Sequence, residues 1–416
     1  MTKPELLLDA IGEVQDKYLE ELDTHIAKVK SRKKRRNGLM IAACLCLVVG
    51  TVVFGWYRLA FGGGSCNYTT DGIAAGGYFY YEVPGNGFFR YTPEEGSVRL
   101  THAGLADHMS GAWYSFTAND YGFYYTKDNW IYRIRHGETA SEKIYHYEGK
   151  VSCPYMYSAG ANDIAVYAAY EGRNKGFHNE LFIIDGITGE RKTTIIDDNI
   201  RQEELDALPD VMSSEYDEAA DALFSRPPIF ADKVTYTVGN RTLELILEEG
   251  NSVFDYAYRL TENGKQLTEQ YVEPYDVRTV GDGLAFVIGS DGSGIGYGDA
   301  DYLIVYPDGT QQKLHPDPMG DSTLGDKNFC FTCVQWYGDG VKDMHTISAK
   351  RIRNVEIFEL KWDSPDEWVN TLYSDDEYLW LTYFDRIACY KIEYSGEVPT
   401  ELTLIDSDIT NTSKGN

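Results

Sequence analysis

The chain has 416 residues, with 38 Lys/Arg against 65 Asp/Glu and a formal charge of −27. The balance is uneven: residues 1–60 hold ten cations and seven anions, so the rest of the chain carries all of the excess negative charge. So acidic a surface repels nucleic acid and anionic lipid headgroups, which excludes nucleic acid as a partner and leaves cations, basic peptides or plain solubility.

Residues 2–29 read as a helix. Thr2 and Glu5 fit a capping box, with Pro4 in the first turn. Leu7, Ile11, Val14, Tyr18 and Leu22 then recur at helical spacing on one face. Burying an apolar side chain is worth roughly 1.5–3 kcal/mol, and this stripe has no partner within its own short tail. It is expected to contact a cytoplasmic protein. The membrane surface competes, but Glu13, Asp16, Glu20, Glu21 and Asp23 make the polar side acidic, and anionic lipid would repel it.

A basic cluster follows, ending in Lys33, Lys34, Arg35 and Arg36, and then an uncharged run from Leu39 to Tyr57. About 20 apolar residues cross a bilayer, whereas a secretory signal has an apolar region of about 7–15 and starts at the N-terminus. Lipidation does not fit: Cys44 opens the apolar run instead of following it, and Cys66 is preceded by Gly63-Gly64-Ser65. The expectation is a permanent transmembrane helix over 38–60. Cations crowd before the span and only Arg58 follows it closely, which keeps residues 1–37 inside. Trp56 and Tyr57 then sit at the outer interface, and residues 61–72 link to an extracytoplasmic region.

That region is rich in strand formers. The chain has 33 Tyr and 17 Phe but only 13 Pro. GGYFYYEVPGNGFFRYTPEEGSVRLTH (76–102) and DYGFYYTKDNWIYRIRHGETASEKIYHY (120–147) share an order of aromatic strand, polar turn, second strand, Gly turn and third strand. The pattern recurs at 162–196, 231–270, 281–315, 329–373 and 375–405, a period of about 50 residues that is typical of propeller blades. The expected fold is mainly β, a seven-bladed β-propeller over 73–408. Six or eight blades are near alternatives, a pair of β-sandwich domains is the rival, and 409–416 is expected to be a disordered tail. Residues 197–224 break the pattern and read as an acidic helical insertion, with Val211, Met212, Tyr216, Ala219, Ala220 and Leu223 on one face.

Chemical motifs are sparse. No H-E-x-x-H, G-x-S-x-G or P-loop occurs. His102, Asp107 and His108 lack further ligands nearby, and Cys330-Phe-Thr-Cys333 would point its sulfurs to opposite faces of a strand. DGSGIGYGDAD (291–301) could offer Asp291, Asp299 and Asp301 to calcium, but it matches no calcium-loop spacing and reads first as a hairpin loop. No catalytic residue, metal or cofactor is expected.

The segment LLDAIGEVQDKYLEELD, the basic cluster and LMIAACLCLVV together resemble the start of membrane proteins of anaerobic Gram-positive bacteria. Those are associated with extracytoplasmic-function sigma factors and treated as anti-sigma-like. The blade pattern resembles an uncharacterised propeller domain of the same bacteria, distantly similar to TolB-type and low-density-lipoprotein-receptor-type propellers. The resemblance implies a sigma factor as the leading candidate for the cytoplasmic partner. The expected function is a single-pass protein whose outer propeller binds an unidentified ligand or protein. The alternative is an anchored propeller enzyme acting on cell-surface glycan or peptide.

Overall fold

A computed structural model describes residues 72–83, 87–101, 116–172, 176–213, 215–252, 255–289, 301–315, 320–335, 345–353, 356–363 and 367–410, all within one compact unit, Tyr68–Asn416. The partner face at Leu7, Ile11, Val14, Tyr18 and Leu22, the basic cluster, the expected span with Trp56 and Tyr57, the His102–His108 pair and the glycine-rich stretch up to Ala300 lie outside the described residues. Among the described residues no helix is long and apolar enough to cross a membrane.

The described chain is mainly β and forms six hydrogen-bonded sheets. Four have four antiparallel strands in chain order, at 72–99, 116–146, 320–359 and 371–406. The third sheet, 151–230, has five, because the short strand Ile229–Phe230 returns to pair with Arg191–Asp197. The fourth, 233–314, joins nine strands, and it contains both the fourth and the fifth of the repeats expected from the sequence.

The second strand of each ordinary sheet explains the aromatic excess. Tyr78–Val83, Gly122–Lys127, Phe329–Gln335 and Tyr378–Thr382 are near-continuous buried runs without polar alternation. A strand reads that way when both of its faces are covered. Adjacent residues point to opposite faces, and Phe79 and Tyr80 show what each face meets. The Tyr80 ring stacks on Phe123 of the second sheet at 4.8 Å, while Phe79 stacks on Trp380 of the last sheet at 4.9 Å.

The same holds around the unit. Each neighbouring pair of sheets shares one apolar cluster: first with second, second with third, third with fourth, fourth with fifth, fifth with last, and last with first. The sheets therefore close on themselves, and no sheet leaves a broad apolar face to water.

The insertion is helical only in part. Helix α1 spans Gln202–Ala207 and α2 spans Tyr216–Phe224. Pro209 cannot donate a backbone hydrogen bond, and the chain turns between the two helices. The expected apolar face is corrected accordingly: Val211 and Met212 lie on that turn and are exposed. The small core here is Ile200, Leu205 and Leu208, with Tyr216, Ala219 and Leu223 packed against it. Arg226 grips Glu204 with two hydrogen bonds of 2.9 and 2.8 Å and closes the insertion at its base.

Candidate functional site

In the four-stranded sheets and the third sheet the turn between the first and second strands carries a small residue or an Asx: Gly76-Gly77, Asn119-Asp120, Gly160, Gly325-Asp326 and Asp375-Asp376. Asx side chains favour such turns because they accept hydrogen bonds from the backbone just ahead. Asn119 Oδ1 accepts from the N–H groups of Tyr121 and Gly122 at 3.0 and 3.3 Å, and Asp375 Oδ1 from those of Glu377 and Tyr378 at 3.0 and 2.7 Å.

These turns touch one another. Gly281 N–H donates to the Asp326 carbonyl at 2.6 Å, and Thr279 Oγ1 donates to Asp120 Oδ1 at 2.6 Å although the two lie 159 residues apart. Asp376 Oδ2 accepts from the N–H groups of Lys327 and Asn328 at 2.7 and 2.6 Å. Gly76 has φ +60, and a Cβ there would lie 2.4 Å from the His136 ring. That ring joins the first two sheets: Nε2 is 2.8 Å from the Asn119 carbonyl and must donate to it, so Nδ1 accepts from Tyr80 Oη at 2.7 Å. Burial lowers the His136 pKa, which agrees with a neutral ring.

The turns thereby gather carboxylates. Asp326, Asp375, Asp376, Glu377 and Glu397 line one pocket of about 460 Å³ together with Lys327, Arg351 and Tyr394. Arg351 is already engaged: its Nη2 donates to the Glu397 carbonyl at 2.9 Å, and the guanidinium lies over the Phe329 and Phe358 rings at 5.6 Å. Asp326 is pushed up to about 7, by burial first and then by Asp375, Asp376 and Asp120. Burial likewise raises Asp375, and it lifts Asp376 to about 6 against the backbone N–H groups that oppose the shift. In another buried setting, Glu273 is pushed up to about 7 by burial, and its Oε2 makes no hydrogen bond. A cluster of acids so far above their ordinary range marks a place where negative charge is held at a cost.

The other residues singled out in the sequence fall as follows. Cys330 and Cys333 are buried thiols outside any disulfide and on opposite faces, one packed with Val280 and Ile304, the other with Leu379 and Leu381. Asp301 Oδ2 lies 2.7 Å from His315 Nδ1 and so already has a partner on its own sheet. Tyr80 and Tyr124 are fully buried between sheets, and Tyr78 stacks on His136 with ring centroids 6.0 Å apart. Sequence reasoning missed the acidic pocket. The signal was present as an acid just ahead of the aromatic strands in NDYGFYY, GDKNFCF and DDEYLWL. These stretches read as ordinary turns until the turns are brought to one place.

No known family's sequence profile matches the chain, and no characterised relative matches by sequence. Solved structures give distant likenesses. An oligogalacturonate lyase from Vibrio parahaemolyticus matches at 11% identity and a TM-score of 0.39, covering 76% of this chain and 86% of that one. An acylaminoacyl peptidase from Pyrococcus horikoshii matches at 9% and 0.41, covering 82% and 52%. A dipeptidyl peptidase 4 from Porphyromonas gingivalis matches at 11% and 0.32, covering 81% and 50%, so this chain spans about half the length of each peptidase. At these scores the likenesses carry neither activity nor substrate to this chain.

Proposed function

We propose that the described unit is a ligand-binding β-propeller, held outside the cell by the anchor expected at 38–60, and that its acidic pocket takes a cationic group such as a Lys or Arg side chain of a basic peptide. Of the seven repeats read in the sequence, the fourth and fifth share the nine-stranded sheet. On this reading Leu7, Ile11, Val14, Tyr18 and Leu22 form the inner contact face, with a sigma factor the leading candidate for its partner. The fold would then be an outer sensor joined to an inner switch.

The observation that carries the pocket reading is the gathering of Asp326, Asp375 and Asp376 in one pocket. Each is raised chiefly by burial, and neighbouring negative charge adds to the shift. An ammonium or guanidinium placed among them would offset both causes at once, which favours binding of a cation. Tyr394, half exposed at the pocket wall, could lie against the alkyl stem of such a group.

The test is titration of the full chain with a short oligolysine and with an oligoglutamate control. The oligolysine should bind more tightly at pH 8 than at pH 5.5, by at least about tenfold, because Asp326 and Asp376 lose their protons across that interval. Asp326→Asn combined with Asp376→Asn should remove the difference. Equal binding of both peptides, or an unchanged double variant, refutes the reading.

A second reading is an enzyme acting on cell-surface glycan or peptide. Asp326 favours it too, since an acid with a pKa of about 7 suits general acid–base work near neutrality. It requires turnover of such a substrate that Asp326→Asn abolishes while binding persists.

A further inference from the structure

On the third sheet, far along the strands from any turn discussed above, a ring nitrogen faces three carboxylates without bonding to any of them. His178 and Glu180 stand two residues apart on the strand Gly176–Asp185, so their side chains share a face. Asp197 is paired directly opposite Glu180 on the strand Arg191–Asp197, and Asp198 follows it. His178 Nε2 lies 3.5 Å from Asp197 Oδ1, 3.8 Å from Glu180 Oε1 and 3.8 Å from Asp198 Oδ1. The His178 side chain is only 9% exposed, and Nε2 makes no hydrogen bond. A buried ring nitrogen aimed at acceptors it does not reach is an unusual arrangement and calls for an occupant.

We propose that His178, Glu180 and Asp197 form a site for a divalent first-row transition metal, with Asp198 placed to complete it. The spacing is within reach. Metal bonds of about 2.0–2.2 Å in a tetrahedral array set ligand atoms roughly 3.3–3.6 Å apart; the ligand atoms of His178, Glu180 and Asp197 all lie within 4.8 Å of one another, so the side chains draw in on binding. A proton on Nε2 is the competing occupant, and zinc titration distinguishes the two. The charge also fits. Arg191 holds Glu180 at 3.2 Å and Arg201 holds Asp197 at 2.9 Å, so three carboxylates meet two guanidiniums and remain net negative. Those guanidiniums hold the carboxylates in place, as outer partners of metal ligands do. An imidazole beside carboxylates suits zinc, manganese or iron and disfavours calcium, which takes oxygen alone.

The location gives the metal a role. Arg201, which holds Asp197, is also the residue at which α1 begins, and α1 packs on the strands Asp163–Gly172 and Gly176–Asp185. A bound ion would clamp the root of the insertion to the third sheet.

The experiment strips the full chain with a chelator and titrates it with zinc at pH 7.5, with calcium as control. One equivalent of zinc should bind and raise the melting temperature, and calcium should do neither. His178→Ala and the near-isosteric Glu180→Gln should each weaken zinc binding by at least tenfold and abolish the rise in melting temperature. If His178→Ala does not fold, Glu180→Gln alone decides. A parent chain that binds no zinc, variants that bind it as the parent does, or a melting temperature that responds to pH near 6.5 but never to metal would each overturn the proposal.

Discussion

The seam between the first and last sheets and the acidic pocket between the fifth and last sheets share the last sheet but rest on opposite physics. At the seam, Phe79, Tyr81, Phe89, Trp380 and Ile387 are buried against one another. Tyr81 Oη there donates to the Ile409 carbonyl at 2.8 Å, while the buried Trp380 Nε1 makes no hydrogen bond. In the pocket, Asp326, Asp375 and Asp376 share a partly buried space; burial raises all three, and Asp375 adds to the shifts of Asp326 and Asp376. The seam stabilises the fold, while the pocket is held at some cost to it. A region kept at such a cost is where function is to be sought.

The largest effect should come from breaking the seam. Phe79→Ala or Trp380→Ala should destabilise the chain by about 3–5 kcal/mol, the usual cost of removing a buried aromatic. Denaturant unfolding measures it, and a loss below about 1 kcal/mol would mean that the ring is not closed there.

The pocket should respond in the other direction. Asp326 has its pKa raised to about 7 in the fold, whereas in the unfolded chain it titrates near the ordinary value of about 3.9. Between those values the folded state holds a proton that the unfolded state has released, so stability falls as pH rises and levels off above about 7. Asp326→Asn removes that penalty. It should leave the melting temperature almost unchanged at pH 4 and raise it by a few degrees at pH 8. A variant that is less stable at pH 8 would show that Asp326 is a structural acid.

The smallest effect concerns thiols. Burial pushes Cys330 and Cys389 up to about 12, and Cys333 is equally enclosed. In the native chain all three should resist an alkylating reagent, read by mass spectrometry, and a reductant should not shift the melting temperature. Rapid labelling at any of them would mean that the clusters on either side of the fifth and last sheets open readily.

Much of this was legible in the sequence because it is periodic. The aromatic second strands announced the repeat, and they are the strands buried on both faces. The first strands were missed. Gly72–Ala75 reads GIAA and Phe116–Ala118 reads FTA, too short and too weakly apolar to stand out beside YFYY. The fusion of the fourth and fifth repeats depends on the pairing of Tyr258 with Val272, a contact that no local pattern encodes. In the insertion, an apolar spacing begun at Val211, five residues before α2 starts at Tyr216, misplaced Val211 and Met212. Both charged clusters were hidden for a different reason. His178 and Asp197 lie 19 residues apart in sequence and become neighbours only through strand register, just as Asp120 meets Thr279 only when the ring closes.

The closing contact also sets a clock. The backbone N–H of Gly72 is bonded to Tyr373 Oη, 301 residues later. At a synthesis rate of about 5–20 residues per second, the first sheet exists for roughly 15–60 s before its last neighbour is made. During that interval the face bearing Phe79 and Tyr81 has nothing to cover it. The nascent chain thus carries a sticky aromatic edge that must be shielded by a helper protein or kept from its copies by charge repulsion. The first sheet is itself nearly neutral, with Glu82, Glu94 and Glu95 against Arg90 and Arg99, so charge gives that edge little cover and shielding is the stronger need.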